Sequence, residues 1–214
     1  MLTQFINKKL RILRKQLRKK QFLASVLLVV SCAGLFAYAI YMSERRLAAD
    51  PASYSQLLQL IAQAESKGNY NAYFSNASNT SVKFTDMSIA EVREWQAKFV
   101  REGNASSAVG RYQIIDATLD GLVRELNLDL SQKFDESTQD MLAIALLERR
   151  GSVQYVNQEI DNREFAANLA QEWAALPKII GENPESSYYA GDGLNKSLID
   201  STQVLRAIGN IRAK

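Results

Sequence analysis

Hydrophobic and polar positions alternate in two regimes along this chain. Residues 22–42 form a run of 21 positions without a charged side chain, long enough as a helix to cross a hydrocarbon layer of roughly 30 Å. Beyond it the pattern becomes helical and amphipathic. Leu57, Leu58 and Ile61 stand eight, seven and four residues before Glu65 and share its helix face, with Gly68 the expected C-cap. Ser88 and Glu91 form a capping box, followed by an apolar face of Ile89, Val92, Trp95 and Phe99. Leu119, Leu122, Val123 and Leu126 mark another helix. Met141, Ile144, Ala145 and Glu148 mark a long one ending at Gly151. Phe165, Leu169 and Trp173 mark a fourth that Pro177 stops, and Leu198, Thr202, Leu205 and Ile208 mark the last. Strand signals are confined to residues 76–86, where Thr80, Val82, Phe84 and Thr85 follow a turn-rich Asn-Ala-Ser-Asn segment, so one small hairpin is expected there.

Charge divides the chain at the same place. Lys8, Lys9, Arg11, Arg14, Lys15, Arg18, Lys19 and Lys20 precede the apolar run, and only Arg45 and Arg46 follow it closely. By the positive-inside rule the N-terminus stays in the cytoplasm and the remainder is exported. The expected organisation is a basic cytoplasmic arm at residues 1–21, a transmembrane signal-anchor helix at 22–42, a short polar linker at 43–53 with Pro51, and one domain at 54–214. A cleavable signal peptide, with Leu47-Ala48-Ala49 as its cleavage site, is the alternative, but the basic and apolar regions are both longer than such peptides have. The overall charge of +3 hides the asymmetry: ten of the 26 Lys/Arg and two of the 23 Asp/Glu lie in the first fifty residues, leaving a net −5 beyond them. The exported part is therefore not expected to bind nucleic acid. The basic arm sets topology and meets anionic lipid, with a cytoplasmic or membrane partner for it left open.

Composition removes several chemistries. The chain has no histidine and a single cysteine, Cys32, inside the apolar run. A Ser-His-Asp triad, a Cys-His pair and a His-ligated zinc site therefore lack their parts, and no internal disulfide can form. No metal or cofactor is expected. A carboxyl remains. Glu65, at the end of an apolar stripe, is expected to be partly withdrawn from water, which raises its pKa toward that of a general acid at neutral pH.

Glu65-Ser66 at the end of that helix, Asn69-Tyr70-Asn71-Ala72-Tyr73-Phe74, Phe84-Thr85-Asp86 and Ser106-Ser107-Ala108-Val109-Gly110-Arg111-Tyr112-Gln113 together resemble the lambda-type phage endolysins. These are lytic transglycosylases of the lysozyme-like superfamily. The similarity continues through Gln139-Asp140, Glu148-Arg149-Arg150-Gly151 and Trp173-Ala174-Ala175-Leu176-Pro177, and covers roughly residues 53 to 212. It implies a mainly α, lysozyme-like (α+β) domain with a small β region beside a cleft, acting on peptidoglycan glycan strands with Glu65 as catalytic acid. The Gly-x-x-Gln string adds a glycine that lets a glycan approach the backbone and an amide, Gln113, that both donates and accepts. Ser66, Tyr73, Asp86, Arg111, Tyr112, Gln113 and Gln139 are the expected substrate contacts.

Three functional classes follow. The first is a membrane-anchored lytic transglycosylase of the bacterial inner membrane, with its domain on the extracytoplasmic side, cutting between N-acetylmuramic acid and N-acetylglucosamine. The second is a lysozyme-type hydrolase on the same bond, which requires a second carboxylate; Asp86 is its first candidate, although a structural role before the helix at Ser88 suits that residue better. The third is a non-catalytic glycan-binding factor of a secretion, conjugation or phage apparatus.

Overall fold

The computed structural model describes residues 49–212, all within the unit Leu47–Lys214. The apolar run at 22–42 and the basic arm lie outside the described residues; among those described, no helix is long and apolar enough to cross a membrane. The fold is helical: α1 (Ser55–Ser66), α2 (Ile89–Arg101), α3 (Asp116–Glu125), α4 (Glu136–Arg149), α5 (Ser152–Val156), α6 (Asn162–Ala170) and α7 (Ser201–Ile208). Single-turn 3-10 helices occupy Pro51–Tyr54 and Phe84–Asp86.

Local chemistry explains the boundaries. The Ser88 hydroxyl accepts from the Glu91 N–H while the Glu91 carboxylate accepts from the Ser88 N–H, so the expected capping box starts α2. Aspartates cap three more: Asp135 accepts from Thr138 N–H at α4, Asp161 from Arg163 and Glu164 at α6, and Asp200 from Gln203 at α7. At the other end of α1 it is Lys67 that takes the left-handed conformation of the cap, at φ 56°, and Gly68 follows it at φ 80°.

Helix α4 is the axis of the core. Its first and last turns carry charge, but Thr138, Gln139, Leu142, Ala143, Ala145, Leu146 and Leu147 are buried on several sides of it. Burial on more than one side blurs a single apolar stripe, which is why the stripe through Met141 and Ile144 does not describe the helix; Met141 is exposed. Tyr54, Phe84, Phe134 and Phe165 are fully buried in the same core, each contributing roughly 1.5–3 kcal/mol by removal from water. Two stripes are shortened. Helix α6 ends at Ala170 before reaching Trp173, and α7 begins after Leu198, which is exposed; Val204, Ala207 and Ile208 bury its face instead.

The two ends of the described stretch are tied together. Asp50 N–H donates to Arg212 C=O at 2.8 Å, Arg212 N–H to Ser53 Oγ at 3.1 Å, and Asn210 Nδ2 to Gln56 Oε1 at 2.7 Å, so α7 and α1 pack side by side.

The hairpin expected at residues 76–86 does not form. Asn79, almost fully buried, satisfies the backbone that a ladder would have used: its Nδ2 donates to the Asn71 and Val82 carbonyls, and its Oδ1 accepts from the N–H groups of Ser81 and Val82. A side chain that closes loop hydrogen bonds competes directly with strand pairing. Among the described residues the β component is a set of isolated bridges, of which Tyr73 with Val109 and Val109 with Ile114 lie beside the cleft.

Candidate active site

The cleft is built where three backbone turns converge on the end of α1. The first is the cap itself. Lys67 N–H donates to Gln63 C=O and Gly68 N–H to Ala62 C=O, so the helix ends at Ser66, one residue after Glu65. Glu65 is half-buried there. The second turn follows α6: Trp173 N–H still bonds Leu169 C=O, its indole Nε1 donates to Tyr112 C=O at 3.2 Å, and the next turn delivers the Ala175 N–H to Glu65 Oε1 at 3.1 Å. Withdrawal from water pushes the Glu65 carboxyl up to about 7, against the opposing effect of the Ala175 N–H. Oε2 has no partner among the described residues.

The third turn is Gly110-Arg111-Tyr112-Gln113, closed by the Val109 and Ile114 bridge. Gly110 is at φ 77°, and a Cβ there would run into the Gln139 amide and the Phe134 ring. Close packing against the interior thus requires glycine there. Gln139 is the reason. Fully buried, it accepts from Arg111 N–H at 2.9 Å and donates to the Tyr70 and Phe134 carbonyls at 3.1 and 3.0 Å. Ser66, also fully buried, holds the other side with its hydroxyl 2.7 Å from Arg111 C=O and 3.0 Å from Ala62 C=O. These two side chains fix the turn relative to Glu65 from behind.

Two cavities meet at Glu65 and Gln113. The larger, about 500 Å³, is bounded by Phe74, Tyr112, Trp173, Arg150, Glu172 and Tyr189 among others. The smaller, about 310 Å³, is bounded by Tyr73 and by the Ser75 to Ser78 loop. Tyr73 belongs to both cleft and core, since its ring packs with Phe84, Trp95 and Phe99. Gln113, itself left-handed at φ 48°, donates from Nε2 to Gly110 C=O at 2.9 Å.

Of the residues read from sequence, Glu65, Tyr73, Tyr112 and Gln113 come together on the cleft wall. Ser66 and Gln139 lie behind it. Arg111 lines neither cavity; its guanidinium sits 4.7 Å over the Tyr70 ring and bonds Gln59. Tyr70 and Tyr112 donate their hydroxyls to Asp140 at 3.0 and 2.7 Å, and burial together with that carboxylate raises both phenols. Asp86 is exposed on its 3-10 turn, lines neither cavity, and offers its carbonyl to Lys133 Nζ. Sequence reading did not find Ala175, whose contribution is a backbone N–H, nor the Arg150–Glu172 ion pair. Glu172 Oε2 takes both Nε and Nη2 of Arg150, at 2.9 and 2.8 Å. Besides Glu65 it is the sole carboxylate among the described residues lining either cavity. Among the described residues, no cluster of three or more His, Cys, Asp or Glu side chains suited to a metal ion occurs.

The family model described as Endolysin matches residues 55–190, well over half of the chain, from the start of α1 through Glu65, the Gly110 to Gln113 turn and Ala175. No curated protein and no solved structure matches it.

Proposed function

This chain belongs to the endolysin family, and from that premise we propose that it is a lytic transglycosylase cleaving the bond between N-acetylmuramic acid and N-acetylglucosamine in peptidoglycan, with Glu65 as its acid and base. The family is one of peptidoglycan-degrading, lysozyme-like enzymes. The observation that supports the glycan-cleaving reading is the state of Glu65: a carboxyl pushed up to about 7, with Oε2 unpartnered among the described residues, on the wall shared by two cavities. What favours the transglycosylase over the hydrolase is that the one other carboxylate among the described residues lining those cavities, Glu172, is engaged by Arg150.

In the first half-reaction Glu65 protonates the glycosidic oxygen as the C1–O bond breaks and an oxocarbenium-like state forms. The carboxylate left behind accepts the Ala175 N–H, which offsets part of its desolvation. In the second half-reaction the C6 hydroxyl of the same muramyl residue attacks C1, and its proton passes to Glu65. The enzyme is restored and a 1,6-anhydro ring is formed. An intramolecular hydroxyl has a very high effective molarity, so neither a bound water nor a second carboxylate is required.

A hydrolase reading has one specific observation in its favour. Asp86 stands outside the cleft, but Glu172 lines it. Its Oε2 is engaged twice by Arg150, an arrangement better suited to holding than to attacking. Mass spectrometry of sacculi digested by the purified chain separates the two: the transglycosylase yields 1,6-anhydro-muramyl ends, one water lighter than the reducing ends of hydrolysis. Predominantly reducing muramyl ends overturn the proposal in favour of the hydrolase. Membrane anchoring through residues 22–42, with the domain on the extracytoplasmic side of the inner membrane, completes the proposal; the span rests on the uncharged run and its orientation on the Lys/Arg asymmetry.

A further inference from the structure

The larger cavity has a charged wall that the reaction above does not use. Arg150 follows the last turn of α4, and Glu172 lies in the turn after α6; they meet across 2.8 Å. The contact is lopsided. Nε and Nη2 both fall on Oε2, and Nη2 also donates to the Gln171 carbonyl at 3.2 Å. No donor among the described residues reaches Oε1, and Oε1 is not among the polar atoms sealed from solvent without a partner. A mostly buried carboxylate therefore keeps one open acceptor facing accessible space, on a residue that lines the cavity.

Such an oxygen can only accept. Sugar hydroxyls both donate and accept and exchange readily with water, whereas the acetamido N–H of an N-acetylated sugar can only donate and is costly to bury unpaired. Gln171, which lines the same cavity beside Glu172, carries an amide able to donate to the acetamido carbonyl. We propose that Glu172, held by Arg150, is a substrate-binding residue whose Oε1 accepts the acetamido N–H of an N-acetylated sugar seated in the larger cavity. The proposal rests on the glycan-cleaving reading above but not on which product is formed.

The test uses the full chain carrying Glu65→Gln, with an N-acetylglucosamine oligomer labelled with ¹⁵N at its acetamido groups as probe. A charge-assisted hydrogen bond moves one bound acetamido N–H downfield and slows its exchange with solvent. Adding Glu172→Gln weakens the dissociation constant about tenfold, the scale of one such bond, and at saturation abolishes that shifted resonance. The doubly neutral variant Arg150→Gln/Glu172→Gln, which leaves no unpaired charge, gives the same loss if Glu172→Gln alone does not fold. Unchanged affinity with the shifted resonance intact overturns the proposal. So does a parent complex with no shifted acetamido N–H, even where Glu172→Gln weakens binding, because a purely structural ion pair predicts that result. Failure of the Glu65 assignment shows separately, as turnover of the oligomer by the Glu65→Gln chain.

Discussion

At the scale of single residues, the environment of Glu65 couples catalysis to stability. A carboxyl whose pKa rises from 4.5 to about 7 on folding binds its proton more tightly in the folded state. The stability this gives is fully present below about pH 4.5 and is lost as pH climbs through about 7, above which the buried charge is an undiminished cost. Glu65→Gln removes that cost. We expect the variant to exceed the wild type in stability at pH 8 by up to about 3 kcal/mol, the difference vanishing below pH 5; denaturant melts at the two pH values measure it. The same variant loses at least about 10²-fold in wall-cleaving rate, and wild-type kcat/KM falls as pH rises through about 7. A folded Glu65→Gln chain with near wild-type turnover removes Glu65 from the mechanism. This residue was legible in the sequence because its position on an apolar stripe already implied desolvation. Ser66 and Gln139 were legible as important but not in kind: a four-residue string does not say which side of a turn a side chain occupies, and both serve the interior, where a buried amide must satisfy its donors and acceptor.

At the scale of elements, helices were readable where one face is apolar and buried and the other is polar, as in α1, α2 and α3. They were less readable where the surroundings override periodicity. Helix α4 is buried on several sides, and the stripe through Trp173 runs past the end of α6 because Trp173 is spent on pinning a turn to Tyr112. The hairpin failed for a related reason, since alternation at Thr80 and Val82 carried no information about the Asn79 network that replaces pairing. That network supports the Ser75 to Ser78 loop bounding the smaller cavity, with Asn69 Nδ2 donating to the Ala77 and Asn79 carbonyls. Asn79→Ala leaves several of these backbone groups unpaired at about 1 kcal/mol each. The expected outcome is a loss of about 2–3 kcal/mol in denaturant unfolding, with KM for glycan raised more than kcat is lowered, because Glu65 and its Ala175 contact lie on other turns. An equal loss in kcat with KM unchanged would instead tie the loop to the chemical step.

At the scale of the whole molecule, charge and reach belong to one argument. The described unit closes on itself, since Asp50 near its start and Arg212 near its end share a backbone hydrogen bond. The segment joining it to the apolar run is therefore at most residues 43–48, a few positions that extend no more than about 3.5 Å each. On the proposed topology, the eight Lys/Arg between residues 8 and 20 against two just after the run orient the N-terminus to the cytoplasm, and the acidic domain and its glycan substrate share the outer compartment. Protease added to intact spheroplasts should trim residues 49–212 while sparing an N-terminal tag. Replacing the eight basic residues by Gln should reduce or invert that asymmetry, because the orienting signal resides in them and not in the apolar run. A domain protected until the cytoplasmic face is opened reverses the orientation, and recovery of the wild-type chain from the soluble fraction with a new N-terminus near Ala48 replaces the anchor with a cleaved signal.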